Sequence, residues 1–191
     1  MITELKPVLK EAVSGGYAVG AFNVYNYETI RGALEASAQT SIPVIVALGE
    51  RYLENMSCRS AHALVSSLSE ELKVKAVLHL DHCKSLEIIG KAVEAGFSSV
   101  MFDGSDLPFE ENIARTREAA AIAHGAGASV EAELGSVARG SMSNEEEGEG
   151  VYTDPSQARE YVEKTGVDAL AVSIERCMAF IRAGLISGQI S

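Results

Sequence analysis

The sequence is short of positive charge. It has 16 Lys and Arg against 27 Asp and Glu, a formal net charge of −11. That excludes a general nucleic-acid surface, which needs clustered basic residues, and it argues against docking on anionic membranes. It leaves an anionic small molecule open, because local groups set a site. Cysteine is scarce too. Cys58, Cys83 and Cys177 are odd in number and far apart, so no disulfide framework is implied and a reducing cytoplasm is expected. No apolar run approaches the length that spans a bilayer, and the opening MITELKPVLKEA lacks the apolar core of a secretory leader. Several catalytic signatures are missing as well. There is no Gly-rich dinucleotide or P-loop pattern after a strand and no Gly-x-Ser-x-Gly elbow. No lysine sits at a strand end to form a Schiff base, since Lys84 lies past one. What remains, 47% hydrophobic and 23% charged over 191 residues, fits one globular core.

Within that core, short apolar runs alternate with helix-period segments. The runs are Val19–Val24, Pro43–Leu48, Ala76–Cys83, Ser98–Gly104, Ala128–Gly135 and Val167–Ile174. The intervening helices are read at Glu28–Gln39, Ser57–Leu72, Ser85–Ala95, Phe109–His124 and from Thr153-Asp154-Pro155 to Lys164. A first helix is read from Thr3, as N-cap, to Val13. Strands apolar on both faces and separated by helices predict a parallel sheet covered by helices. Two architectures satisfy this: a doubly wound sheet, or a (β/α) barrel with six units where a full one has eight over about 250 residues. Residues 1–174 read as one domain, and 175–191 as an apolar tail. Six strands without closure leave an edge at each end, and the tail is a candidate cover for one of them.

The chemistry collects at the carboxyl ends of the runs, which carry Asn23, Gly49-Glu50, Asp81-His82, Asp103 and Glu133. Convergence from several strands suits a barrel mouth better than a crevice at one switch point. An imidazole with carboxylates can hold a divalent metal, and a neighbouring carboxylate can move protons. Asp103-Gly104 also suits a plain turn, and Asn23 a cap. Glu131 and Glu133 share one side of their strand, where two buried carboxylates repel without a partner. His79 is read as a satisfied core histidine or an outer hydrogen-bonding group, Cys83 as an apolar filler, and His62 and His124 as packing or surface groups. Glu145, Glu146 and Glu147 lie in a polar excursion after the fifth run that reads as a solvated loop or a lid carrying an acid or base.

Taken in order, Gly20-Ala21-Phe22-Asn23-Val24, His79-Leu80-Asp81-His82, Asp103-Gly104-Ser105, Leu107-Pro108-Phe109-Glu110-Glu111-Asn112, Glu131-Ala132-Glu133-Leu134-Gly135 and Tyr152-Thr153-Asp154-Pro155 resemble the class II, metal-dependent ketose-bisphosphate aldolases. The resemblance implies a TIM barrel, Zn2+, a homo-oligomer and a sugar-phosphate substrate. The implied reaction is cleavage of fructose or tagatose 1,6-bisphosphate to dihydroxyacetone phosphate and glyceraldehyde 3-phosphate. It also implies His82 as a zinc ligand, Asp103 and Glu133 as its polar shell or an alternative metal position, Asp81 as the acid/base at the C4 hydroxyl, Asn23 as a substrate-positioning group, and a loop carboxylate for the enediol proton among Glu145, Glu146 and Glu147, with Glu146 as the candidate.

The chain departs from that pattern at identifiable points. Cys83 stands where the family has Gly, and Asp106 where His is common. After Ile174 the sequence runs Glu175-Arg176-Cys177-Met178, not the Gly-x-x-His-Gly that supplies a second zinc histidine. One histidine is fewer than a catalytic zinc ordinarily takes. The expectation is therefore weakly held zinc, with a non-catalytic aldolase fragment that binds metal or a partner as the alternative.

Overall fold

The computed structural model describes residues 1–135 and 151–174, together with the backbone of Cys177–Arg182. In chain order the elements are α1 (Leu5–Gly15), β1 (Ala21–Asn23), α2 (Tyr27–Thr40), β2 (Val44–Gly49), α3 (Cys58–Glu71), β3 (Ala76–Cys83) and α4 (Leu86–Glu94). They continue with β4 (Ser99–Phe102), α5 (Phe109–Gly125), β5 (Ser129–Leu134), α6 (Pro155–Thr165), β6 (Ala169–Ile174) and β7 (Cys177–Arg182). The helix starts follow their capping chemistry. Asn26 forms a capping box with Thr29, while Ser57, Ser85 and Asp154 each accept a backbone N–H from the first turn, with Pro155 just inside α6. Thr3 does not cap α1. Met1–Thr3 pairs with the start of β3 instead, through an Ile2–Ala76 bridge and the Thr3 N–H on the Ala76 carbonyl, so the helix begins after Glu4.

The strands lie in the order β1-β2-β3-β4-β5-β6-β7, with β1 to β6 parallel. This decides between the two architectures. A doubly wound sheet needs a reversal of strand order, and this order has none. With right-handed crossovers, a strand order that never reverses puts every crossover helix on one face. The result is a half-barrel of six parallel strands. Its outward residues, among them Val46, Leu78, Leu80, Val100, Phe102, Val130, Ala132 and Leu170, join the helices in the main core. The inner face carries most of the small and polar strand residues, among them Ala47, Gly49, His79, Asp81, Ser99, Glu131 and Glu133, with Asp103 just past β4. Near the amino ends of the strands, α1 closes this inner face, with Leu5 and Val8 packed on Ile45 and Val77.

Of the two edges that six strands leave, the one at β6 is covered by a strand of the tail. β7 runs antiparallel along β6, from Ile174 opposite Cys177 to Ala169 opposite Arg182. A strand reached without a crossover can only return antiparallel. It takes the edge where a barrel would set its next parallel strand. β1 keeps its edge, and its three residues are exposed.

Away from the strand ends that carry the acids, Asp168 ties three elements together. One carboxylate oxygen accepts the Val130 N–H at 3.0 Å and faces His124 Nε2 at 2.9 Å, and the other accepts from Lys6 Nζ at 3.0 Å. Burial alone would raise its pKa; the hydrogen bonds from Val130, His124 and Lys6 outweigh burial and hold it below the ordinary value. A carboxylate with a depressed folded pKa contributes stability that is present above its ordinary pKa and lost as pH falls through the folded one. Asp168→Asn is therefore expected to cost about 1–2 kcal/mol at pH 7. The gap from the parent should narrow at pH 3, as read from urea midpoints at the two pH values. An equal gap at both would place the stabilisation elsewhere.

Candidate metal centre

The site grows out of an irregularity at the end of β3. In a regular strand Asp81 and His82 would point to opposite faces. Here the register with β4 shifts between Leu80 and Cys83, and His82 adopts φ 46°. The left-handed region costs a non-glycine residue about 1–2 kcal/mol. The bulge turns both side chains into one open cavity of about 1330 Å³ at the carboxyl ends of the strands, shared with Asn23, Glu50, Lys84 and Asp103.

His82 meets its partners there. Its Nδ1 lies 2.9 Å from Asp103 Oδ2 and 3.5 Å from Glu133 Oε2. One ligand atom from each of His82, Asp103 and Glu133 lies within 4.8 Å of the others. Asp103 and Glu133 are buried, and the imidazole is partly exposed toward the cavity. Burial would raise the pKa of Asp103, but hydrogen bonds from His82 and from the Ser105 hydroxyl and N–H hold it well below the ordinary range. One nitrogen and two carboxylates are a donor set that zinc accepts. Two buried carboxylates so close together are compensated best by a cation. The residues present thus fit a divalent metal.

A buried pair lies behind the cluster. His79 Nδ1 is 2.8 Å from Ser99 Oγ, its register partner on β4, while its Nε2 is 3.5 Å from Glu131 and 3.9 Å from Asp81. Burial pulls the His79 pKa down to about 4, so the ring is neutral at pH 7. Burial, with the charge of Asp81 adding to it, pushes Glu131 well above its ordinary value. The two buried glutamates on one side of β5 are therefore met by a histidine each.

The structure brings Asp81, His82, Asp103 and Glu133 together, and places Asn23 on the wall of the same cavity. Glu146 lies outside the described residues. Among the described residues, the Thr153 hydroxyl donates to the Leu134 carbonyl and accepts the Ser173 N–H. Cys83 is a filler, fully buried, with its thiol on the Ser85 carbonyl and its pKa pushed up to about 12 by burial. His62 packs against Gly96, and His124 belongs to the Asp168 tie. Sequence reasoning missed Ser99, Ser105 and the buried polar residues of α5. Asn112 and Thr116 share a helix face with Ile113 and Ala120, and polar residues on an apolar face were the available signal.

This geometry can be set beside known proteins. The family model for class-II fructose-bisphosphate aldolase matches residues 3–176. The chain belongs to that family. A probable fructose-bisphosphate aldolase of Bacillus subtilis is 42% identical over 179 residues, covering 91% of this chain and 61% of its own length. A fructose-bisphosphate aldolase of Staphylococcus aureus is 41% identical with the same coverage. Among solved structures, the YdjI aldolase of Escherichia coli K12 superposes with a TM-score of 0.78 at 37% identity, over 91% of this chain and 62% of that one. A putative fructose-1,6-bisphosphate aldolase of Coccidioides immitis gives a TM-score of 0.80 at 30% identity, over 89% and 60%. The chain thus spans about three-fifths of the length of these class-II aldolases. No helix among the described residues is long and apolar enough to cross a membrane.

Proposed function

We propose that the half-barrel carries the metal-binding and proton-transfer arm of an aldolase site acting on a ketose 1,6-bisphosphate, fructose or tagatose, and yielding dihydroxyacetone phosphate and glyceraldehyde 3-phosphate. The observation that carries this is the cluster of His82, Asp103 and buried Glu133, at the wall of the cavity that Asp81, His82 and Asp103 line. A divalent metal such as Zn2+, held by His82 with Asp103 and Glu133, supplies Lewis acidity to a ketone oxygen. The chain's own residues do the rest. Asp81, part exposed at the cavity wall, takes the proton of the C4 hydroxyl as the C3–C4 bond breaks and returns it in the reverse direction. Asn23 orients the substrate from β1. Glu146 handles the enediol proton. Setting is cytoplasmic, with no nucleic acid or membrane involved, and assembly is a homo-oligomer.

A second reading is favoured by β7. It occupies the β6 edge in antiparallel register, where a closed barrel would continue in parallel. On that reading the chain holds metal without turnover. One experiment separates the two. The purified 191-residue chain is loaded with Zn2+, its metal measured by elemental analysis, and release of dihydroxyacetone phosphate followed with and without chelator. Chelator-sensitive release that Asp81→Asn abolishes establishes cleavage. Bound metal without release establishes the second reading. No bound metal overturns both.

A further inference from the structure

Behind the acidic ligands lies a buried polar hub that the proposed reaction does not use. Asn112 on α5 is 1% exposed, and Thr116 and Tyr161 are fully buried. The Asn112 amide donates to the Glu133 carbonyl at 3.0 Å. Its Oδ1 lies 2.7 Å from Tyr161 OH and 3.1 Å from Thr116 Oγ1, and the two hydroxyls are 2.6 Å apart. Two hydroxyl hydrogens therefore serve a triangle of oxygens, and the carboxamide cannot turn without stranding its partners. The Tyr161 ring is fixed in turn, tilted against Phe109 with centroids 6.1 Å apart.

The hub touches both strands that carry the carboxylates. On β5 it holds the Glu133 carbonyl itself. Beside β4 it abuts Gly104, the residue after Asp103: a Cβ at Gly104 would come within 2.2 Å of Asn112 Oδ1. The next carbonyl, that of Leu134, is held from the other side by the Thr153 hydroxyl. The carboxyl end of β5 is thus clamped by two side chains from outside the sheet. Burial pushes the Tyr161 phenol up, so it stays a donor at pH 7.

We propose that Asn112 is a positioning residue for the metal centre: by bonding the carboxyl end of β5 and packing against the turn that follows β4, it sets the spacing of Asp103 and Glu133 and so the affinity for a divalent cation. This rests on the reading that His82, Asp103 and Glu133 bind such a cation. Asn112 touches neither metal nor substrate; it acts through the backbone of the ligands' strands, and outer partners of this kind typically change metal affinity 10- to 100-fold.

The test is Co2+ binding to the purified chain, read by titration calorimetry and by the visible absorption of bound Co2+, with urea midpoints measured alongside. Asn112→Asp keeps the shape but replaces the donor to Glu133 with an acceptor. Tyr161→Phe removes one hydroxyl and keeps the ring, so one of the pair folds even if the other does not. Each is expected to weaken Co2+ about 10-fold or more and to shift its absorption. Thr116→Ser, which keeps the hydroxyl, should bind as the parent does. Val65→Ala, on the buried face of α3, should lower stability and leave Co2+ affinity within about twofold. Parental affinity in both hub variants would overturn the proposal alone. Loss of affinity in Val65→Ala equal to that in the hub would overturn it too, by making affinity a reflection of stability. A parent chain that binds no Co2+ would overturn the metal reading and the proposal with it.

Discussion

Gly104→Ala is expected to cost about 3 kcal/mol of stability, near the top of the range for overpacking a core. The new Cβ would sit 2.2 Å from Asn112 Oδ1, 2.7 Å from its Cγ and 3.0 Å from the Phe102 ring. None of these neighbours is the free end of a flexible chain. Asn112 and Phe102 are buried, and the carboxamide is held on three sides by Glu133, Thr116 and Tyr161. Either β4 moves away from α5, opening the packing around Phe102, or Asn112 rotates and leaves the Glu133 carbonyl and the Tyr161 hydroxyl without their buried partner, at about 1–3 kcal/mol for each group. Urea denaturation of the single variants and of Gly104→Ala with Asn112→Ala closes a double-mutant cycle. Truncating Asn112 should relieve the clash, so the double variant should be more stable than the two losses added together. Strict additivity would show that the collision at Gly104 is absorbed elsewhere.

The same residues show where the sequence was legible and where it was not. Alternation along a strand is a two-residue rule. It placed Glu131 and Glu133 on one side of their strand, and that side is the inner face. The helix starts at Ser57, Ser85 and Asp154 were readable because a short polar side chain before an apolar periodic run has a local reason to be there. Thr3 has the same chemistry, but pairing of Met1–Thr3 with β3 overrides it, and that contact is long-range. The Asp81-His82 pair could be picked out as chemistry but not as geometry, because neighbours on one strand reach one cavity only through the positive φ at His82. The Asn112 hub joins residues 21 and 49 positions apart, which no local pattern encodes. The tail was readable as apolar and as a candidate edge cover, but not as a strand of the sheet. Its role depends on the exposed edge of β6, a property of the assembled sheet.

His82→Gly is expected to lose metal affinity as fully as His82→Ala and yet to be the more stable of the two. Among the described residues at the cluster, His82 gives its only nitrogen donor, and that donor is aimed by a backbone conformation that L side chains disfavour. Removing the imidazole should reduce Co2+ affinity by more than about 100-fold, beyond the 10- to 100-fold usual for a ligand's outer partners. The cost to the fold should depend on what replaces it. Alanine keeps the left-handed strain and loses the contacts to Asp103 and Glu133; glycine loses the same contacts and relieves the strain. His82→Gly should therefore be more stable than His82→Ala by about 1 kcal/mol, with both equally poor at binding Co2+. Equal unfolding midpoints for the two would mean that the bulge carries no strain at His82. Asp81 would then reach the cavity by the ordinary pleat of β3, and the adjacency of Asp81 and His82 would have no backbone cost attached. If the difference is found, strain at the end of β3 is what holds a metal ligand and a proton-transfer carboxylate side by side.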